Sequence, residues 1–195
     1  MRYTPQTLAL LGTIALAVSD PAQAVGDESP AAVAVATEAV QNAREDMLET
    51  FGTDHLENGR FLWQDDTDEV TRVVVSLADQ MVYAYADDHL VGVATTSTAR
   101  EGYITPPGIF SVLEKNRTYR SKKYDNAPMP YAQRIDEYGI AMHGGPIPGH
   151  PASHGCIRLP TNFAAKLFKA TDIGTQVYIG GSARNSDRPQ VAEND

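Results

Sequence analysis

The chain has a single cysteine, Cys156, and it directly follows His154 and Gly155 in a stretch from Met142 to Pro160 that also holds His143 and His150. A thiol attacks as its thiolate, and a free thiol has a pKa near ~8.5, so a neighbouring imidazolium or backbone dipoles must lower that value to make much thiolate. Both kinds of help are close in sequence. His143 and His154 are available to take a proton, and Gly155 lets the backbone turn so that successive N–H groups converge on a developing oxyanion. Nucleophile, base and oxyanion donor are the parts of covalent acyl transfer. The same side chains also suit metal binding, because three histidines and a cysteine are enough for tetrahedral zinc. Against that, no histidine pair has i, i+4 spacing without a nearby proline, and His150 is followed by Pro151; His154 and Cys156, two apart, would still face one way in an extended segment. A third reading is structural, with the cysteine as a small buried hydrophobe and the histidines satisfied in a loop.

The stretch is too rich in glycine and proline to be a regular helix or a central strand, so other elements must hold it. From Val70 the pattern becomes that of strands. Val73, Val75 and Leu77 alternate with Arg72, Val74 and Ser76; Met81, Tyr83 and Tyr85 alternate again; Leu90 to Thr96 is a β-branched run. Pro106-Pro107-Gly108 marks a turn before a strand over Ile109 to Leu113. Lys115 to Asn126 is charged and reads as a solvated loop, or as a rim that attracts carboxylates. Thr161 is placed to cap a helix over Asn162 to Ala170, and Thr175 to Ile179 reads as a last strand. The fold class expected is mainly β, a barrel or sandwich of short strands with one or two minor helices.

The remaining segments bound the domain at residues 70–180. Arg2, the apolar run from Leu8 to Val18 and the small residues of Ala22-Gln23-Ala24 form a signal peptide over 1–24, cut after Ala24. The alternative, an uncleaved anchor, has an apolar run short of the ~20 residues that spanning needs. Residues 25–69 read as an N-terminal extension or linker, with one short helix in the alanine-rich stretch from Ala31 to Phe51. Residues 181–195 are polar, without apolar period, and read as a disordered tail. The expected location is outside the cytoplasm, in the periplasm or cell envelope. The formal charge, 16 − 25 = −9, argues against nucleic acid or an anionic membrane surface as partner. One cysteine excludes an intrachain disulfide and a multi-cysteine zinc module.

Ser153-His154-Gly155-Cys156-Ile157-Arg158-Leu159, with His143-Gly144 upstream, resembles the signature of the L,D-transpeptidase catalytic domain, often called the YkuD domain. Ser97 and Thr105-Pro106-Pro107-Gly108-Ile109-Phe110 resemble its earlier signature, a serine-containing strand followed by Thr-Pro-x-Gly-x-Phe. The resemblance spans about Val70 to Ile179; the stretch from His143 to Cys156 is shorter than in many members, and the usual glycine after the serine strand is replaced near Thr98-Ala99. The resemblance implies a β fold and a cofactor-free cysteine acyltransferase. Its partners would be peptidoglycan stem peptides. The acyl group would pass to another stem peptide as a 3–3 cross-link, to a lipoprotein lysine, or to water. It also implies roles: Cys156 as nucleophile, His143 as base and later acid, Gly144 as the residue whose carbonyl orients that histidine, and the N–H groups of Gly155 and Cys156 as oxyanion donors. Ser153, His154 and Arg158 would support the loop. The alternative is a non-catalytic wall-binding or His/Cys metal-binding module.

Overall fold

In the computed structural model of the chain, the described residues are 26–181 apart from Asp66 and Asp68. The stretches read above as a signal peptide and, beyond Gly181, as a tail lie outside them.

Two mixed sheets carry the fold. The first contains β1 (Phe61–Trp63), β2 (Arg72–Ser76), β3 (Met81–Ala86), β4 (His89–Thr95), β5 (Gly108–Ser111) and β10 (Gln176–Gly180), in the order β1-β4-β3-β2-β10-β5. Strands β2, β3 and β4 form the antiparallel meander that their alternation predicts, and β10 returns parallel to β2. The second sheet contains β6 (Glu114–Arg120), β7 (Pro128–Arg134), β8 (Ala141–Gly144) and β9 (Ile157–Leu159), in that order. Two helices, α1 (Pro30–Phe51) and α2 (Thr161–Ala170), complete the described elements. The mainly β class is as expected.

The alternation in β2 and β3 sorts side chains between two cores. Val73, Val75, Val82 and Ala84 join Phe110, Met142, Ile157, Leu159, Phe163 and Leu167 between the sheets and α2. Val74, Met81, Tyr83 and Tyr85 face the other way and pack with Val40, Ala43 and Met47 of α1. Both faces of the sheet are therefore covered, and β2 to β4 are buried almost throughout.

That second core gives the helix in the stretch read as an extension a definite place. The stretch read as an extension with one short helix holds a helix of 22 residues, with Ala32, Ala36, Val40, Ala43 and Met47 buried. Pro30 starts it, and Ser29 Oγ accepts the Ala32 N–H at 3.2 Å. The strand β1 then pairs antiparallel with β4, Phe61 opposite Ala94. Three other details differ from expectation. The first half of the charged run read as a loop, up to Arg120, lies in the edge strand β6, whose outward charges suit an edge, and the rest, up to Asn126, forms a turn. Pro128–Arg134 is a strand between β6 and β8. Helix α2 begins one residue early, with Pro160 as N-cap and no side-chain cap, so Thr161 is its first residue and not its cap.

The helix α1 sits so close to the sheet that Gly180 is required at the contact. A Cβ on Gly180 would lie 2.2 Å from the Ala36 carbonyl oxygen, a backbone atom that cannot swing aside. Gly180→Ala is expected to destabilise the fold by about 1–3 kcal/mol, the usual cost of overpacking. Thermal unfolding would show this as a melting-temperature drop of roughly 2–10 °C. An unchanged melting temperature would show that α1 is not docked in this way.

Candidate active site

Pairing of β8 with β9 sets the site. These neighbours are parallel, with Met142 opposite Ile157, His143 opposite Arg158 and Gly144 opposite Leu159. Met142, Ile157 and Leu159 are fully buried in the main core, so His143 and Arg158 project from the opposite face. Cys156 comes one residue before β9 and two before Arg158, which puts it on that same side. Parallel neighbours need a long crossover. Here the crossover is the glycine- and proline-rich loop itself, without a helix. The sequence motif is therefore both the chemistry and the connection that brings its two halves together.

His143 is 7% exposed. Its Nδ1 lies 2.9 Å from the Gly144 carbonyl oxygen. A carbonyl only accepts, so Nδ1 carries the proton and Nε2 keeps the basic lone pair of the neutral ring. Burial pushes the pKa of His143 below its ordinary 6.5; the Gly144 carbonyl opposes this, and the Arg158 guanidinium adds to it. The imidazole is thus neutral near neutral pH, the form a general base requires.

Cys156 is half-buried, packed against the cluster of Met129, Ala132 and Ala141. Its Sγ lies 3.8 Å from the Gly139 carbonyl oxygen, a long contact to which the thiol can donate only weakly. Burial pushes the thiol pKa up. The backbone N–H of Ala141 opposes this, the Asp136 carboxylate adds to it, and Arg158 opposes it. This is the reverse of the lowering that a resting thiolate would need. Burial thus favours the neutral form of both the thiol and the imidazole.

The turn before Cys156 is held from several sides. Gly155 has φ +127°, a region that side chains rarely adopt, and a Cβ there would lie 2.5 Å from Ile140 Cδ1. The Gly155 carbonyl accepts the Thr105 hydroxyl at 2.7 Å, and Thr105 Oγ1 accepts the Ala99 N–H at 3.0 Å. The Gly155 N–H donates to Ser153 Oγ at 3.1 Å, so one of the two expected oxyanion donors is engaged within the turn in this state. His154 is stacked on Tyr124 with centroids 4.4 Å apart, edge-on to Tyr103 at 4.5 Å, and its Nε2 accepts from Arg100 Nη2 at 2.8 Å. This environment suits the supporting role expected of His154. Arg158 exchanges backbone hydrogen bonds with Ser97, at 3.1 and 3.0 Å, which ties β9 to the segment after β4.

His150 is exposed, and its carbonyl accepts the Ser97 hydroxyl at 2.8 Å. The three histidines of the loop therefore have separate surroundings. Among the described residues no three His, Cys, Asp or Glu side chains gather closely enough to hold a metal ion. Sequence reasoning had no signal for Tyr124 and Arg100, which come from elements distant in the chain; Thr105, by contrast, lies in the Thr-Pro-Pro-Gly motif.

Behind the residues that the thiol packs against is a cavity of about 150 Å³. Met129, Ala132 and Ala141, the residues that Cys156 packs against, form part of its wall, and Glu114, Lys122 and Arg134 bring charge to it. Arg134 Nε pairs with Glu114 Oε2 at 3.1 Å. The site thus brings a thiol, a neutral imidazole and, on the far side of the residues packed against the thiol, a pocket with both apolar surface and charges of either sign.

The protein-family model described as YkuD, L,D-transpeptidase catalytic domain, matches residues 70–179. A curated relative, the probable L,D-transpeptidase 3 of Mycobacterium tuberculosis, is 31% identical over a region covering 45% of this chain and 38% of that protein. Among solved structures, the L,D-transpeptidase (Yku) from Stackebrandtia nassauensis superposes with a TM-score of 0.55 at 29% identity, covering 62% of this chain and 61% of that one. L,D-transpeptidase 3 from Mycobacterium tuberculosis, solved in complex with a faropenem-derived adduct, gives a TM-score of 0.52 at 25% identity, covering 56% of this chain and 60% of that one. The chain spans less than two thirds of the length of each of these relatives.

Proposed function

The chain belongs to the L,D-transpeptidase catalytic domain family, and from that premise we propose that it is an exported L,D-transpeptidase acting on peptidoglycan tetrapeptide stems through an acyl-enzyme on Cys156. The observation that carries this reading is the parallel register of β8 and β9, which sets the neutral His143 on the same side of adjacent strands as the only thiol.

In this mechanism Cys156 Sγ attacks the carbonyl of the L-centred third residue of the stem, while its proton passes to Nε2 of His143. The oxyanion is held by N–H groups of the turn at Gly155 and Cys156, which requires the Gly155 N–H to leave Ser153 Oγ as substrate arrives. His143 then gives its proton to the departing amine, the C–N bond breaks, and D-alanine leaves a thioester behind. An acceptor amine attacks the thioester and gives its proton to His143, the C–S bond breaks, and His143 returns that proton to the departing sulfur, which restores the thiol. A stem-peptide amine gives a 3–3 cross-link, a lipoprotein lysine gives attachment to the wall, and water gives carboxypeptidase activity. The cavity that shares Met129, Ala132 and Ala141 with the surroundings of the thiol suits a side chain that carries both an ammonium and a carboxylate, since Glu114 and Arg134 stand together at its wall. Export rests on the N-terminal pattern of residues 1–24 and places the reaction at the cell envelope.

Incubation with purified disaccharide-tetrapeptide, followed by mass spectrometry, tests this directly. The expected products have lost D-alanine, and some have joined into a dimer. A substrate recovered unchanged would sink the proposal. The same thiol should also open a β-lactam ring, as the faropenem-derived adduct of the Mycobacterium relative suggests. Treatment with faropenem is expected to add mass at Cys156; an adduct mapped to a serine would contradict the assignment.

A further inference from the structure

Residues 52–60 lie outside the matched domain, yet they touch the loop that joins base to nucleophile. Asn58 Nδ2 donates to the Ile147 carbonyl at 2.8 Å, across 89 positions of sequence. The contact is also one of shape, because a Cβ on Gly149 would come within 3.0 Å of Asn58 Nδ2. The segment that presents Asn58 is braced on both sides. On one side, α1 is packed on the sheet and ends at Gly52, whose N–H reaches the Leu48 carbonyl at 3.0 Å. On the other, the Gly59 N–H donates to Thr95 Oγ1 at 2.9 Å, the Arg60 carbonyl accepts the Thr95 N–H at 3.2 Å, and β1 follows in register with β4.

The loop needs an outside donor of this kind. Pro146, Pro148 and Pro151 have no N–H, so the stretch has few donors with which to stitch itself together. Pro146, Pro148, Gly149 and His150 are exposed. Its carbonyls are instead taken by side chains from elsewhere: Ile147 by Asn58, and His150 by Ser97. Ser97 belongs to the resemblance motif; Asn58 does not.

We propose that Asn58 is a positioning residue for the acyl transfer. It fixes the crossover between β8 and β9 and, through the crossover, the approach of His143 to Cys156. This inference rests on the reading of those two residues as base and nucleophile.

The test uses the full chain with Asn58→Ala and Asn58→Asp. Asn58→Asp keeps the size of the side chain against Gly149 but removes the N–H donor. Three readouts are compared with the parent: the rate of faropenem addition to Cys156, the rate of Cys156 alkylation by iodoacetamide, and amide hydrogen exchange across residues 145–156. Small misplacements at a catalytic pair are costly, so faropenem addition is expected to slow by roughly tenfold in both variants. Alkylation by iodoacetamide also requires the proton to leave the sulfur, so it should slow alongside faropenem addition, and exchange should quicken in this loop while the sheets stay protected. Parent-like faropenem addition by Asn58→Asp, or unchanged exchange in the loop, overturns the proposal. A parent protein that takes no adduct at Cys156 overturns the catalytic reading instead, and the exchange measurement still reports whether Asn58 holds the loop.

Discussion

Cys156→Ala is expected to abolish D-alanine release from a tetrapeptide stem while leaving the protein folded. The chemistry leaves no substitute, because Cys156 is the only thiol in the chain. Of the nearby hydroxyls, Ser153 Oγ is buried and holds the Gly155 N–H, and Thr105 Oγ1 holds the Gly155 carbonyl. Both serve the turn. Loss of the sulfur removes one half-buried atom from the contact with Met129, Ala132 and Ala141, which should cost about 1 kcal/mol or less. Cys156→Ser sharpens the test. It keeps the shape, but an alcohol gives up its proton far less readily than a thiol, so it should be nearly as inactive. The measurement is D-alanine release per enzyme over hours, with thermal unfolding beside it. Release by either folded variant at more than about a hundredth of the parent rate would show that the thioester is not the intermediate, since loss of an essential nucleophile costs far more than that.

What could be read from the sequence, and what could not, follows from the range of each interaction. That Ser153 to Arg158 and His143-Gly144 come together was legible because the motif lies in residue type and near spacing. The meander β2 to β4 was legible because period-two alternation is local. That alternation identifies two faces but not what covers each, so the packing of Tyr83 and Tyr85 on α1 was hidden. The strand β6 was missed for a related reason. Its pairing with β7 is made by backbone groups, while its exposed charges resemble those of a loop. The engagement of the Gly155 N–H by Ser153 was hidden too, since sequence gives the presence of a donor and not its direction. Likewise the sequence asks for a thiol of lowered pKa. The fold buries that thiol and sets Asp136 near it, and this pushes the value the other way.

His143→Ala is expected to slow acylation of Cys156 by at least ~10²-fold, the usual scale for a positioned acid–base group. Two further consequences separate loss of a base from mere damage. The first is the pH profile of acylation in the parent. The base must be unprotonated, so the rate should rise with pH through a single titration and then level off. Burial and Arg158 hold the His143 pKa below 6.5, so the midpoint of that rise should lie below 6.5. The second is the thiol itself. Its titration lies above the ordinary range, so in the absence of His143 the rate must follow the thiolate fraction and climb only on the alkaline side. The acidic rise should therefore vanish in His143→Ala, leaving an alkaline one. His150→Ala serves as the control. Its ring is exposed and its only described hydrogen bond is made by its backbone carbonyl to Ser97, a bond that the substitution keeps, so rate and profile should stay close to the parent. The measurement is the rate of faropenem addition to Cys156 from acid to alkaline pH in the three proteins. If His143→Ala keeps the acidic rise at the parent's midpoint, the group that titrates there is not His143, and another base must be sought around the thiol.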